Sequence, residues 1–487
     1  MSTVSKTVRT EKNIKSLLNR AFNSKLFPFV VAAIMILCYY TSLDIVAIYF
    51  VAIAGILIFL LCDDLTPFIT LFVFINVIVS YKNSPSFTAG ESNYYYQTHI
   101  LAQAISLIVL LILAGVYRFI KTAYTGKFKR TPVFYGLCAL SAVFILNGIF
   151  SRGYTPMNLV YGILQAVIYL GVFALLKDNI NPDKANLKRI ALTFFALSIV
   201  LIIELGVALL TYDNIIVNGE LIRDNISFGW GVYNTMGMLL VLCVPSVIYL
   251  ASRYKHGYLF TIYSVLVAAA CLLTTSRQAL LGLIVVYPVC LFGLLIWSRK
   301  RLGNIIVIIS AAVCALVLVI IFHNIVLDAI KQVFSNIIVD GHFYASNRLS
   351  IYSVGLEHFE SAPVFGVGFY HSGLGHMMNN VSGLDLMPYF YHNTLLQMAA
   401  SCGIIGLAAY IAHRCQTVVS FLSNITWERT YIAASMLVLL VLSLLDVHMF
   451  DIMPTLIYSS LLALLVASED KKPRQLLKPK QPFIIKK

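Results

Sequence analysis

The stretch 258–301, YLFTIYSVLVAAACLLTTSRQALLGLIVVYPVCLFGLLIWSRKR, decides the fold. It holds two apolar runs, 258–275 and 277–298, each near the ~20 residues that cross a hydrocarbon layer as a helix. Only a few polar residues around Thr274–Arg277 part them, and Arg299, Lys300 and Arg301 close the second run. In lipid every backbone polar group must be satisfied within the segment, so two such runs read as a helical hairpin that goes out and comes back.

Outward from this hairpin the pattern fills the chain. Its 487 residues are 60% hydrophobic and 11% charged, with a mean hydropathy of +0.86; a soluble domain carries about 25% charged residues. Apolar runs recur near 26–42, 44–62, 65–80, 99–120, 131–150, 156–176, 190–211, 232–251, 304–322, 393–413, 430–448 and 452–468. The expected fold is therefore all-α, a polytopic integral membrane bundle of 12–14 transmembrane helices. Residues 1–25 and 469–487 read as basic cytoplasmic tails flanking a membrane domain over 26–468. The apolar run after residue 25 lacks a cleavage signal and reads as an uncleaved first helix.

Positive residues near span ends are retained on the cytoplasmic side. With the N-terminus inside, all but six of the 35 Lys and Arg fall in inner segments; the exceptions are Lys82, Arg152, Arg223, Arg277, Lys331 and Arg348. The net charge of +14 is thus an inner fringe suited to anionic membrane lipids, and no nucleic-acid partner is read from it. The nine cysteines avoid the predicted outer loops and show no metal-ligand spacing, so they read as small packing residues.

The polar chemistry collects outside. The longest connection, the external loop 323–392, holds His323, His342, His358, His371, His376 and His392, six of the ten histidines. Loops of this length are usually functional. Within it NRLSIYSVGLEHFESAP (347–363) reads as a helix capped by Asn347 and stopped by Pro363, with Leu349, Tyr352, Leu356 and Phe359 on one face. Arg348 then lies in the first turn, where the helix dipole disfavours a cation; it is either structural or aimed at an anion that also meets the helix end. The glycine-rich GVGFYHSGLGH (366–376) lacks the strand and helix of a dinucleotide site and reads as a tight fold-back over the membrane surface.

Three further places carry candidates. Arg277 stands at an outer span end beside Thr274, Thr275 and Ser276, as a snorkelling anchor or as a two-pronged anion contact. Arg223 lies in the outer segment 211–234 among Glu220 and Asp224, where a local ion pair competes with ligand contact. Asp446, His448 and Asp451 share an outer hairpin but form no reliable ligand set, so no metal is expected. In FYHNTLLQMAASCGIIGL (390–407) an imidazole and a capping asparagine, His392 and Asn393, precede a long apolar run. The trio Tyr389, Phe390 and Tyr391 suits an interfacial belt or a sugar-stacking surface. Few ionisable residues lie inside the spans, Glu204 being the clearest, and this argues against a proton- or ion-coupled transporter.

Taken together, TTSRQALLGL, NRLSIYSVGLEHFESAPVFGVGF and HNTLLQMAASCGIIGL, in this order and membrane placement, resemble the bacterial O-antigen ligase and polysaccharide polymerase superfamily over roughly 190–413. The resemblance implies a metal-independent inverting glycosyltransferase with no cofactor, acting at the outer face of the cytoplasmic membrane. Its donor would be an undecaprenyl-pyrophosphate-linked glycan and its acceptor a sugar hydroxyl of an acceptor glycan. On the matching motifs Arg277 and Arg348 would bind the pyrophosphate and His392 would activate the acceptor; Arg223 has no motif to align and is the weakest assignment. Polymerisation of repeat units into a surface polysaccharide is the leading expectation, with a single-transfer ligase and a lipid-linked oligosaccharide flippase as alternatives. A chain-length regulator and a flippase of the same pathway are the protein partners this implies.

Overall fold

The computed structural model describes residues 13, 15–41, 43–77, 98–152, 154–211, 216–217, 220–221, 227–228, 231–298, 301–321, 338–339, 342–343, 348–370 and 390–469. Each predicted span contains a helix: α1 (Phe27–Thr41), α2 (Asp44–Leu61), α3 (Thr66–Phe74), α4 (Thr98–Tyr124), α5 (Pro132–Phe150), α6 (Pro156–Lys177), α7 (Lys184–Thr211), α8 (Tyr233–Arg253), α9 (Gly257–Leu273), α10 (Arg277–Trp297) and α11 (Arg301–Ile321). After α12 (Arg348–Ser361), the helix expected in the external loop, come α13 (Thr394–Ser423), α14 (Trp427–Leu442) and α15 (Ile452–Ala467). Among the described residues seven helices are long and apolar enough to cross a membrane, and four more apolar helices are shorter. The strands described are three two-residue antiparallel ladders in the connections, such as Ile216–Val217 against Glu220–Leu221. The protein is a multi-pass all-α membrane protein.

Local sequence explains the helix starts. Thr131 and Thr155 accept hydrogen bonds from the amides of Phe134 and Asn158, and the proline that follows each has no amide to leave unpaired. Thr426 caps α14 in the same way through Arg429. The core is centred on α8, buried along almost its whole length and packed by α7, α9, α10 and α14; Tyr249 of α8 stacks on Tyr431 of α14 at 4.3 Å.

Side-chain contacts define two ends. At one, Arg253 pairs with Glu428 at 2.6 Å, Trp297 stacks on Trp427, Lys188 lies over Tyr254, and Tyr431 donates to the Leu187 carbonyl. This end gathers the basic turns. At the other, Arg348 donates to the Leu445 carbonyl, Arg152 to that of Ser361, and Ser276 bonds Asn234. Arg414 belongs to neither. It lies inside α13, which runs ten residues beyond the span read from hydropathy, with its guanidinium over the rings of Tyr410 (4.4 Å) and Tyr458 (4.3 Å).

Two irregular segments shape the second end. α13 breaks at Gly403, whose φ is +65°, and the turn segment 363–368 fills the break. Ile404 donates to the Pro363 carbonyl, while the amides of Val367 and Gly368 donate to the carbonyls of Ala400 and Ser401. Asn147 of α5 donates to the carbonyls of Phe365 and Ser401, and Asn158 of α6 pairs with the backbone of Tyr370 on both sides. The glycine-rich segment therefore folds back tightly, as expected for its described part, but it docks into the bundle: Val367 and Phe369 are fully buried. The turn between α14 and α15 dips inward too, burying Val447, Met449 and Phe450.

Candidate functional site

His392 immediately precedes the cap of α13. Asn393 accepts from the amides of Leu395 and Leu396 and donates to the Leu444 carbonyl, so it is a helix cap that also ties α13 to the 443–451 turn. His392 itself adopts φ +50°, a left-handed region uncommon for residues other than glycine, in which histidine, asparagine and aspartate are the side chains met most often. The distortion is held from three sides. The Tyr352 hydroxyl of α12 donates to the His392 carbonyl at 3.3 Å, Thr394 N donates to Ser443 O at 2.8 Å, and the imidazole Nδ1 lies 2.9 Å from Asp446 Oδ1. The His392 side chain is 36% exposed, so the ring is anchored at one edge and open to solvent at the other.

Asp446 is the electrostatic centre. Burial alone would raise its carboxyl; the His392 hydrogen bond, the nearby charges of His448 and His392 and the Val447 amide outweigh that and hold it at about 2. His448 is buried, with Nδ1 3.6 Å from Asp451 Oδ2. Burial and the charge of Arg348 oppose its protonation, yet the acidic neighbours Asp451 and Asp446 prevail and its pKa is raised. The two carboxylates of the 443–451 turn thus serve two histidines, Asp446 facing His392 and Asp451 facing His448.

Arg348 reaches this turn from α12, its NH1 donating to Leu445 O at 2.6 Å, next to Asp446. The helix carries it there because Ile351 and Gly355 form the buried face, against Tyr391, Leu396 and Ala400. Of the face expected from the sequence, Leu349 and Leu356 are half exposed. Arg277 opens α10 behind the Ser276 cap, which accepts from Ala279 N. Five residues on, Gly282 packs against Leu442, the last residue of α14, so Arg277 lies at the end that bears the 443–451 turn. His392 and Arg348 are brought onto one turn; Arg277 stands on a neighbouring helix of the same end. Arg223 lies outside the described residues, as do Asn347 and Tyr389.

Sequence reading missed the partnership of Asp446 with His392, which spans 54 residues. The one available signal was the cluster of Asp446, His448 and Asp451 itself. It also took Tyr391 for a surface aromatic, whereas Tyr391 is 1% exposed and its hydroxyl meets His358 Nδ1 at 2.6 Å, pinning α12 to the start of α13.

A multi-pass helical bundle with paired histidine, carboxylate and arginine groups at one end defines a membrane protein with a polar site at its surface. Residues 262–411 match the family model described as O-antigen ligase. The match covers 150 of the 487 residues and supports membership of the O-antigen ligase and polymerase superfamily, which implies a glycosyl-transfer-type enzyme. The matched segment runs from α9 into α13 and includes Arg277, Arg348 and His392; Arg223 and Asp446 lie outside it. Comparison with curated proteins gives no match.

Proposed function

We propose that the protein polymerises undecaprenyl-pyrophosphate-linked repeat units into a cell-surface polysaccharide at the outer face of the cytoplasmic membrane. The observation that carries the reading is the 2.9 Å contact of Asp446 Oδ1 with His392 Nδ1. With Asp446 accepting the Nδ1 proton, His392 keeps a lone pair on Nε2. Nε2 takes the proton of the acceptor hydroxyl as its oxygen attacks the anomeric carbon. The bond from that carbon to the pyrophosphate oxygen breaks, its electron pair leaves on the pyrophosphate, and attack from the opposite face inverts the centre. Arg277 and Arg348 carry the charge that develops on the leaving group, with Arg223 as the third pyrophosphate contact. Asp446 stabilises the imidazolium that forms. The donor supplies the driving force, so neither a nucleotide nor a metal is assigned a step.

In this reading residues 26–468 form the catalytic membrane domain, 323–392 lie outside, and the tails 1–25 and 469–487 rest on anionic lipid at the cytoplasmic side. The ligase reading is supported by the description of the matched family model. One assay separates them: purified protein is given lipid-linked repeat units alone and the products are resolved by size. A ladder that is absent with His392→Ala supports the polymerase. A single transfer, seen only when an acceptor is added, supports the ligase, and an undiminished ladder from His392→Ala overturns the mechanism.

A further inference from the structure

The turn that carries Asp446 is gripped from inside the membrane domain. Met449 and Phe450 are buried to within 1% of full enclosure, and their carbonyls point at one helix, α6. Tyr161 and Gln165 both donate to the Phe450 carbonyl, at 2.7 and 2.8 Å, which fills both lone pairs of that oxygen. Tyr169 donates to the Met449 carbonyl at 2.8 Å. The three donors follow one another at intervals of four residues, and Tyr169 lies in the π turn Val167–Gly171, a local widening of the helix that recurs at functional sites.

The gripping helix is itself fixed. A Cβ on Gly162 would run into the Phe144 carbonyl of α5, so the two helices meet backbone to backbone and α6 has no room to slide. Behind Tyr169 stands Tyr458 of α15, ring to ring at 6.0 Å and 60°, and Arg414 covers Tyr458. The donors therefore come from a rigid frame, and their carbonyl acceptors lie three and four residues beyond Asp446.

Resting on the transfer mechanism above, we propose that Tyr161, Gln165 and Tyr169 are positioning residues: from within the membrane they clamp the 446–450 turn so that Asp446 stays on His392. None of them touches substrate. A misplacement of the order of 1 Å at a general base can cut a rate by about a hundredfold. The clamp thus acts on turnover and not on donor capture.

The test uses the full-length protein in nanodiscs with Tyr161→Phe, Gln165→Leu and Tyr169→Phe, singly and combined, and lipid-linked glycan extracted from membranes of cells lacking the protein. For the triple variant kcat is expected to fall about tenfold or more, with the donor KM held within about twofold. Amide exchange across 444–451 is expected to speed up about tenfold, because the turn opens locally. Added to Asp446→Asn, the triple change is expected to cost less than about threefold further, since both act through one contact. Unchanged exchange across 444–451, or a loss that adds in full to that of Asp446→Asn, overturns the proposal. Should the triple variant not fold, Tyr169→Phe removes one hydroxyl alone and the exchange of 444–451 decides. The exchange readout is independent of the chemistry: full activity in His392→Ala sinks the transfer mechanism, whereas the clamp stands or falls on the turn.

Discussion

At the scale of single residues, the backbone of His392 shows what the site asks of the chain. A non-glycine residue at φ +50° carries about 1–3 kcal/mol of strain. His392→Gly is therefore expected to melt later than His392→Ala, by about 1 kcal/mol in stability, while both lose transfer. Equal stability of the two would mean that the strain is not there. Asp446 gives a second prediction. Its carboxyl, at about 2 against an ordinary 3.8, is depressed, so its stabilisation is present above the unfolded value and is lost as pH falls through the folded one. The displacement corresponds to about 2 kcal/mol lost between about pH 4 and 2. Asp446→Asn should flatten the stability profile in that window, measured by thermal unfolding in detergent, and lower transfer about a hundredfold or more at neutral pH by freeing the ring. A profile as steep as the parent's would remove Asp446 from this role. Arg277, Arg348 and His392 were legible because each sits in a local signal, a span end or a helix start. Asp446 was not, since its meaning lies in a contact 54 residues away that no local period records.

Among the elements, α13 departs furthest from its reading. Its apolar run looks continuous, and hydropathy does not register a backbone break within a mostly apolar run. The break is nevertheless bridged: Ile404 N bonds the Pro363 carbonyl, the Ala400 and Ser401 carbonyls accept from Val367 and Gly368, and Asn147 adds a further bond to Ser401. Irregular backbone at such a place is tolerated because protein, not lipid, surrounds it. The same docking aims α12, whose Tyr352 and Arg348 then reach His392 and the Leu445 carbonyl. Gly403→Ala places a Cβ against the Val364 carbonyl in a left-handed conformation. It is expected to destabilise by about 2–4 kcal/mol and to lower the melting temperature of the purified protein. An unaltered melting temperature would show that the docked segment is dispensable. The α12 face was misread for a related reason: its apolar residues surround the helix, and Leu349 and Leu356 are left outward where an amphipathic pattern would have turned them in.

For the whole molecule, the placement of charge was legible from the start because it depends on counting and not on contacts. The structure gathers Lys177, Lys188, Arg253 and Arg429 at one end and Arg152, Arg277 and Arg348 at the other, as the sorting of basic residues requires. Arg414 counts with the inner residues in the sequence, but α13 continues past the apolar run and its charge is set among tyrosine rings inside the bundle. The proposed orientation takes the basic end as the one retained inside. It would make Tyr154 external and Tyr124 cytoplasmic, both well exposed. With Cys314 and Cys415, the two exposed native thiols, replaced by alanine, a membrane-impermeant maleimide added to intact cells is expected to label Tyr154→Cys and to spare Tyr124→Cys until the cells are opened. The reverse pattern would put His392 and its arginines in the cytoplasm. A polysaccharide built there would still have to cross the membrane, and the transfer would no longer be the last step before the cell surface.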